Sequence, residues 1–240
     1  MEEIRVKCDF PNLSEEENIE IAIREMKGYG MLPEDEDYDR ERFAALRKAV
    51  RENFEIPWTS ITPPMERLLY AIAAIHRPRN VVGIGIFCGN TLVWNVGPAC
   101  GPGKVYQAER LVGVDVDEKA IHIARDNFKR IGASDEVEIL AEDGHAVLER
   151  IDYPIDLLYL DAHGPLPGTN GPSTKLIYLT LLERAYDKIP PGGLVVAHDT
   201  LPEWFVRMAG KYLEFVRDRS NFRISLSIQP DKEGIEVSLK

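Results

Sequence analysis

Hydrophobic positions along this chain recur at two spacings, and the helical one governs its first third. From Ser14 to about Lys27 the pattern is helical; Ser14 with Glu17 three residues on forms a capping box, and Gly28 and Gly30 end the run. Phe43, Leu46, Val50 and Phe54 predict a second helix over 39–53. Pro63 and Pro64 open a third, in which Leu68, Leu69, Ile72 and Ile75 face a core and Pro78 marks the exit. Beyond Asn80, short apolar runs alternate with helical patterns. Strands are predicted at 80–84, 111–116, 137–141, 155–161 and 194–197, with helices at 118–131, 144–149 and 175–188. Such alternation implies a doubly wound parallel sheet. After Pro202 a helix runs to about Arg217, and strands at 222–228 and 235–239 flank the turn Pro230-Asp231-Lys232-Glu233-Gly234, a terminal hairpin. The expected architecture is α/β: seven mostly parallel strands with an antiparallel C-terminal hairpin over 59–240, preceded by a helical appendage over 1–58 that serves as a site cover or a subunit contact.

Bulk properties narrow the function. The 240 residues suit one α/β domain with an addition, and the formal charge of −11 argues against broad phosphate-backbone binding, so nucleic acid is not an expected partner. No apolar run approaches the roughly 20 residues that cross a bilayer, and the N-terminus lacks signal-peptide character, which predicts a cytoplasmic protein and no membrane partner. Cys8, Cys88 and Cys100 lack zinc-type spacing and read as reduced thiols. The acidic run Glu34-Asp35-Glu36-Asp37 reads as a solvated loop. Trp58 and Trp94 are assigned to packing rather than to stacking on a substrate, and Lys175 and Arg207 to solvated helix faces, the alternative being contact with an anionic substrate group.

The chemistry concentrates in two places. In Val81-Val82-Gly83-Ile84-Gly85-Ile86-Phe87-Cys88-Gly89-Asn90-Thr91 an apolar strand breaks into glycines and then a helix-compatible segment, which suits a ligand loop. Asp115 ends the next apolar run, where a carboxylate can accept both hydroxyls of a ribose or simply cap the strand end; together they suggest a nucleoside-bearing cofactor. Asp161 and the pair His198-Asp199 end two further strands, so all three lie at the carboxyl edge of the sheet, where open α/β sheets bind ligands. The segment 164–172, rich in glycine and proline, leaves the strand of Asp161 as a long loop, either a lid or a disordered stretch.

The hairpin after five strand–helix units makes the chain resemble Rossmann-like class I S-adenosylmethionine-dependent methyltransferases over about Thr59 to the C-terminus. Ile61-Thr62-Pro63-Pro64 and the closing hairpin resemble the small-molecule O-methyltransferases of the catechol, caffeoyl-CoA and macrolide-sugar kinds. The resemblance implies that Gly83, Gly85 and Gly89 surround the methionine part of the cofactor. It further implies that Asp115 holds the ribose, that Asp143 reaches the adenine amino group and that His145 packs along the ring. Asp143 is equally explained as a turn or helix cap. Relatives carry an acidic residue where this chain has Gly83, so Asp161 or Thr59 is left to meet the cofactor's ammonium. In metal-dependent relatives the positions of Asp161, His198 and Asp199 hold a divalent cation; carboxylates suit Mg²⁺ or Ca²⁺, and the imidazole extends the choice to Mn²⁺, Fe²⁺ or Zn²⁺. The alternative is a set of strand-end hydrogen bonds. Many relatives have a lysine base where this chain has Gly164, which leaves His163 as the candidate base beside Asp161, or as a loop hydrogen bonder.

The expectation is therefore methyl transfer to a hydroxyl of a small-molecule acceptor, assisted by a divalent metal, in a protein whose N-terminal helices suggest a homodimer. Same-fold alternatives are N- or C-methyl, aminopropyl or aminocarboxypropyl transfer. A noncatalytic cofactor-binding protein is a further alternative. A nicotinamide-dependent reductase is disfavoured by the hairpin and by the lack of a Tyr-x-x-x-Lys pair.

Overall fold

The computed structural model describes residues 3–9, 12–59, 61–169, 171 and 174–240. In chain order these form β1 (Arg5–Lys7), α1 (Glu15–Gly28), α2 (Arg40–Asn53), α3 (Pro63–His76), β2 (Asn80–Ile84) and α4 (Asn90–Val96). There follow β3 (Arg110–Asp115), α5 (Glu118–Arg130), β4 (Glu138–Ala141), α6 (Gly144–Arg150), β5 (Leu157–Leu160) and α7 (Ile177–Ala185). The chain closes with β6 (Leu194–His198), α8 (Glu203–Arg217), β7 (Ile224–Gln229) and β8 (Ile235–Leu239). One sheet runs β1-β7-β8-β6-β5-β2-β3-β4. Only β8 is antiparallel to its neighbours, β6 and β7. From β2 the chain winds outward through β3 and β4, then returns to place β5 and β6 on the other side. The order reverses between β2 and β5, and ligand sites of such sheets lie there.

Helices cover both faces, so the central strands are buried throughout and read as continuous apolar runs. Val81, Leu111, Leu157, Tyr159 and Val196 point to the layer containing α1 to α5; Val82, Val112, Leu158, Leu160 and Val195 point to α6, α7 and α8. The predicted capping box of α1 is present, and Thr62 caps α3 with proline at its first positions.

Several expectations are modified. An eighth strand, β1, pairs in parallel with β7 through Val6↔Ile228. Its three residues hold too little pattern to be recognised without that partner. The apolar faces that suggested a subunit contact are used within the chain: Ile19, Ala22, Met26, Phe43, Leu46 and Val50 are buried in the same core as α3 and α4. The argument for a homodimer falls with them. The segment predicted as a helix over 175–188 starts at Ile177 and ends in a 3-10 turn at 186–188, which leaves Lys175 ahead of the helix.

Gly83 and Gly113 are register partners on β2 and β3, and Leu92 of α4 fills the dent they leave. A Cβ on Gly113 would stand 2.4 Å from Leu92 Cδ2, and one on Gly83 3.0 Å from Leu92 Cδ1. Gly83 is therefore a packing residue inside a strand, where any side chain would press on Leu92.

The hairpin carries a buried charge. Glu236 of β8 is fully buried and accepts from Arg217 at 2.9 Å through both Nε and Nη2, with Ser225 and Ser227 also donating to it. Removing one partner of a buried pair strands the other charge. Arg217→Met is expected to lower unfolding stability by about 3–5 kcal/mol in urea titration, and Arg217→Lys to lose less.

Candidate active site

A cavity of about 630 Å³ opens at the carboxyl edge of the sheet where the order reverses. Gly85 forms its floor. Its φ of +85° and the 2.4 Å that would separate a Cβ from Ala162 N exclude any side chain, because the turn after β2 lies directly against the chain leaving β5. Gly85 N donates to Val114 O and Asp161 N to Ile84 O, which stitches both exits to the neighbouring strands. Of the three glycines expected at the cofactor, only Gly85 lines the cavity. Gly89 caps α4 with its α-face against Phe128 and Ala124, and Gly83 lies in the strand.

Asp115 lines the cavity and organises its loop: Oδ2 accepts from Phe87 N at 2.8 Å and Oδ1 from Asp117 N at 3.0 Å. The strand-end capping role is thus present, and each oxygen keeps a second acceptor position that a ligand could use. Phe87 is pinned at φ +48°; Asp199, in the same cavity, stands at +61°. Backbone strain in non-glycine residues gathers at functional sites. Thr59 lines the cavity and accepts from Asn90 Nδ2 at 2.9 Å, while Asn90 Oδ1 is buried with no partner among the described residues. Asp143 lines the cavity and also caps α6 through Ala146 N. His145 is turned away, its Nε2 2.8 Å from Thr180 Oγ1, and it is not part of the lining. With an apolar floor, the Asp115 carboxylate and an orphaned amide oxygen, these residues fit an adenosyl cofactor.

Asp161, Asp199 and Lys175 form the opposite wall, with His198 behind them. Lys175 is 4 % exposed, which overturns its placement on a solvated helix face. Its Nζ donates to Asp161 Oδ1 at 2.9 Å and to Tyr178 Oη at 2.8 Å, and lies 3.1 Å from Asp199 Oδ2. Burial by itself would raise the Asp161 carboxyl, but Lys175 and His198 outweigh it and hold it down at about 2. Burial likewise pushes Lys175 down, and the two carboxylates more than restore it, so it is an ammonium. His198 is fully buried and does not line the cavity; its Nδ1 lies 3.1 Å from Asp199 Oδ1 and 3.4 Å from Asp161 Oδ2. Burial lowers its pKa, and Asp161 and Asp199 reverse this to leave it raised.

Asp161, His198 and Asp199 each offer one ligand atom, all within 4.8 Å of one another, so the donor set alone suits a divalent ion. The space between the carboxylates, however, is taken by a cation already, and an imidazole drawn toward its protonated form is a poor ligand. As arranged, these residues do not fit a divalent metal.

His163 is exposed on the cavity wall; burial first, then the Lys175 ammonium, push it below its ordinary value. Gly164 and Pro165 continue the wall, and a bridge between Gly164 and Thr174 closes the base of the loop. Asn170 and Pro172 of the expected lid lie outside the described residues. Trp94 is buried as expected, but Trp58 is 65 % exposed, packs on Phe87 at 5.7 Å and lines the cavity with Trp204 and Val116. Asn90 and Trp204 are site residues the sequence reading missed, and Lys175 and Trp58 are ones for which it preferred a solvated face and packing. Only Lys175 carried a usable signal: if the segment is read as a helix from 175, its spacing to Tyr178 and Leu182 puts it in line with apolar positions, although the helix itself begins at Ile177.

Residues 82–200 match the family model described as "Methyltransferase domain". A polyamine aminopropyltransferase 2 of Hyperthermus butylicus is 28% identical over 142 residues, 57% of this chain and 44% of that protein. A catechol O-methyltransferase of Niastella koreensis is 24% identical over 151 residues, 61% of this chain and 60% of that protein. The chain thus spans less than two thirds of either relative. An O-methyltransferase of Bacillus cereus, solved in complex with SAH, superposes with a TM-score of 0.57 at 20% identity, over 92% of this chain and 100% of that one. Among the described residues no helix is long and apolar enough to cross a membrane.

The Asp161 carboxyl is depressed in the folded state relative to about 3.9 in the unfolded chain. Its contribution to stability is therefore complete above about pH 4 and is lost as pH falls through about 2. In acid unfolding followed by circular dichroism, Asp161→Asn should flatten that part of the stability profile, removing on the order of 2 kcal/mol of its pH dependence.

Proposed function

From a chain that carries a class I S-adenosylmethionine-dependent methyltransferase domain, we propose an enzyme that methylates a hydroxyl of a small organic molecule. The observation that carries this reading is the convergence in one cavity of the Gly85 turn and Asp115 on one side with the exposed imidazole of His163 on the other. When bound, S-adenosylmethionine supplies a methyl group on a cationic sulfur. Asp115 takes the ribose hydroxyls with its remaining acceptor positions, and Asp143 faces the adenine end. Asn90 Oδ1 is the acceptor for the ammonium, the part that neither Gly83 nor the ion-paired Asp161 can play. Trp58, Val116 and Trp204 give the mouth an apolar rim suited to the body of an organic acceptor. His163, held neutral near pH 7 by burial and Lys175, accepts the hydroxyl proton at an imidazole nitrogen.

The likeness to a catechol O-methyltransferase supports oxygen as the acceptor atom. The likeness to an aminopropyltransferase supports a second reading, in which the same cavity transfers a larger group from a related sulfonium. Product mass separates the two, and cofactor binding without turnover would favour a noncatalytic binder.

Two measurements test the proposal. Calorimetric titration with S-adenosylhomocysteine should show binding to the unaltered protein and a loss of roughly 10- to 100-fold in affinity in Asp115→Ala, a change of about 1.4–2.8 kcal/mol. With an accepted hydroxylated substrate, His163→Gln should lower kcat by about 10²-fold or more while cofactor affinity stays the same; an unchanged kcat removes His163 as the base.

A further inference from the structure

We propose that Lys175 is a resident counter-ion that occupies the place of a divalent metal, so that the site is built to work without one. The inference rests on the contacts of one atom. An ammonium has three protons, and those of Lys175 are all engaged, by Asp161 Oδ1, Tyr178 Oη and Asp199 Oδ2. The two carboxylates come from the ends of β5 and β6, strands paired in register through Leu160↔Ala197, and they need a shared cation to sit so close in a buried wall.

The lysine is fixed from the other side too. Tyr178, which accepts its third proton, donates in turn to His198 O at 3.3 Å and packs edge-on against Phe205 and Tyr212. The cation therefore sits at the end of a chain of contacts that passes from α7 into β6. A divalent ion at the same point would have to expel this ammonium and find it another partner in a low-dielectric wall. Among the described residues the other carboxylates lining the cavity are Asp115, Glu142 and Asp143, at its cofactor side.

Manganese uptake followed by the loss of the free-ion signal in electron paramagnetic resonance tests this without any acceptor. The unaltered protein is expected to leave Mn²⁺ free. Lys175→Ala, and Lys175→Met should the alanine variant not fold, are expected to take up one Mn²⁺ at least about tenfold more tightly than the unaltered protein. Adding Asp161→Asn to either variant should abolish this uptake. Stoichiometric Mn²⁺ binding by the unaltered protein that is lost in Asp161→Asn overturns the proposal. So does a folded Lys175 variant, verified by near-ultraviolet circular dichroism, that gains no Mn²⁺. The proposal deepens the methyltransferase reading but fails separately from it: absence of S-adenosylhomocysteine binding would sink that reading and leave the manganese result standing.

Discussion

The closeness of two backbones at Gly85 and Ala162 sets the geometry of the whole site. A Cβ at Gly85 would lie 2.4 to 2.6 Å from three main-chain atoms of Asp161 and Ala162, so neither segment can relax around a side chain. Because these exits touch, the cofactor-facing turn after β2 and the charged wall after β5 open into one cavity rather than two. Everything else at the site is arranged around that contact. Asp115 ties down Phe87 on one side, and on the other Asp161 is oriented by its own amide bond to Ile84 O.

Burying two carboxylates next to a fully buried histidine opposes stability unless the charges are compensated. Compensation here is local: one ammonium and one imidazole face both acids, and the Asp161 carboxyl is held at about 2 despite its burial. A second buried charge, Glu236, is treated the same way by Arg217 and two serines, but it lies in the hairpin away from the cavity. The two clusters differ in their access to the cavity. Glu236 has no access to a ligand, whereas Asp161, Asp199 and Lys175 all border the cavity, and Asp199 keeps a strained left-handed backbone there.

The fold was legible because its signals are local. Alternating apolar runs marked the strands of the parallel sheet, the capping box marked α1, and the Pro-Asp-Lys-Glu-Gly turn marked the hairpin. β1 was not legible, because three residues acquire strand character only by pairing with β7. At the site, residues fixed by strand ends were readable: Asp115, Asp143 and Asp161 all reach the cavity. Those fixed by tertiary placement were not. Gly83 looked like part of a ligand loop but serves Leu92 packing, His145 turns to Thr180, and Lys175 looked solvated because a lone lysine usually is.

The residues at positions 83 and 175 act in the same direction on the electrostatics. Gly83 brings no charge to the strand that leads into the cavity, and Lys175 neutralises part of the acidic wall formed by Asp161 and Asp199. On the methyltransferase reading Asp115 and Asp143 stand on the ribose and adenine side without a cation in the lining, whereas Glu142 beside them is paired with Arg150. Negative potential at the entrance attracts a cationic cofactor. At the reacting centre the same potential would stabilise the sulfonium before transfer and oppose the dispersal of its charge, which lowers the rate rather than raising it. A cavity acidic at its cofactor rim and compensated where the methyl moves separates binding from reaction. On the methyltransferase reading, the lysine thus does by compensation what a metal would do by coordination, and it does so without recruiting an ion.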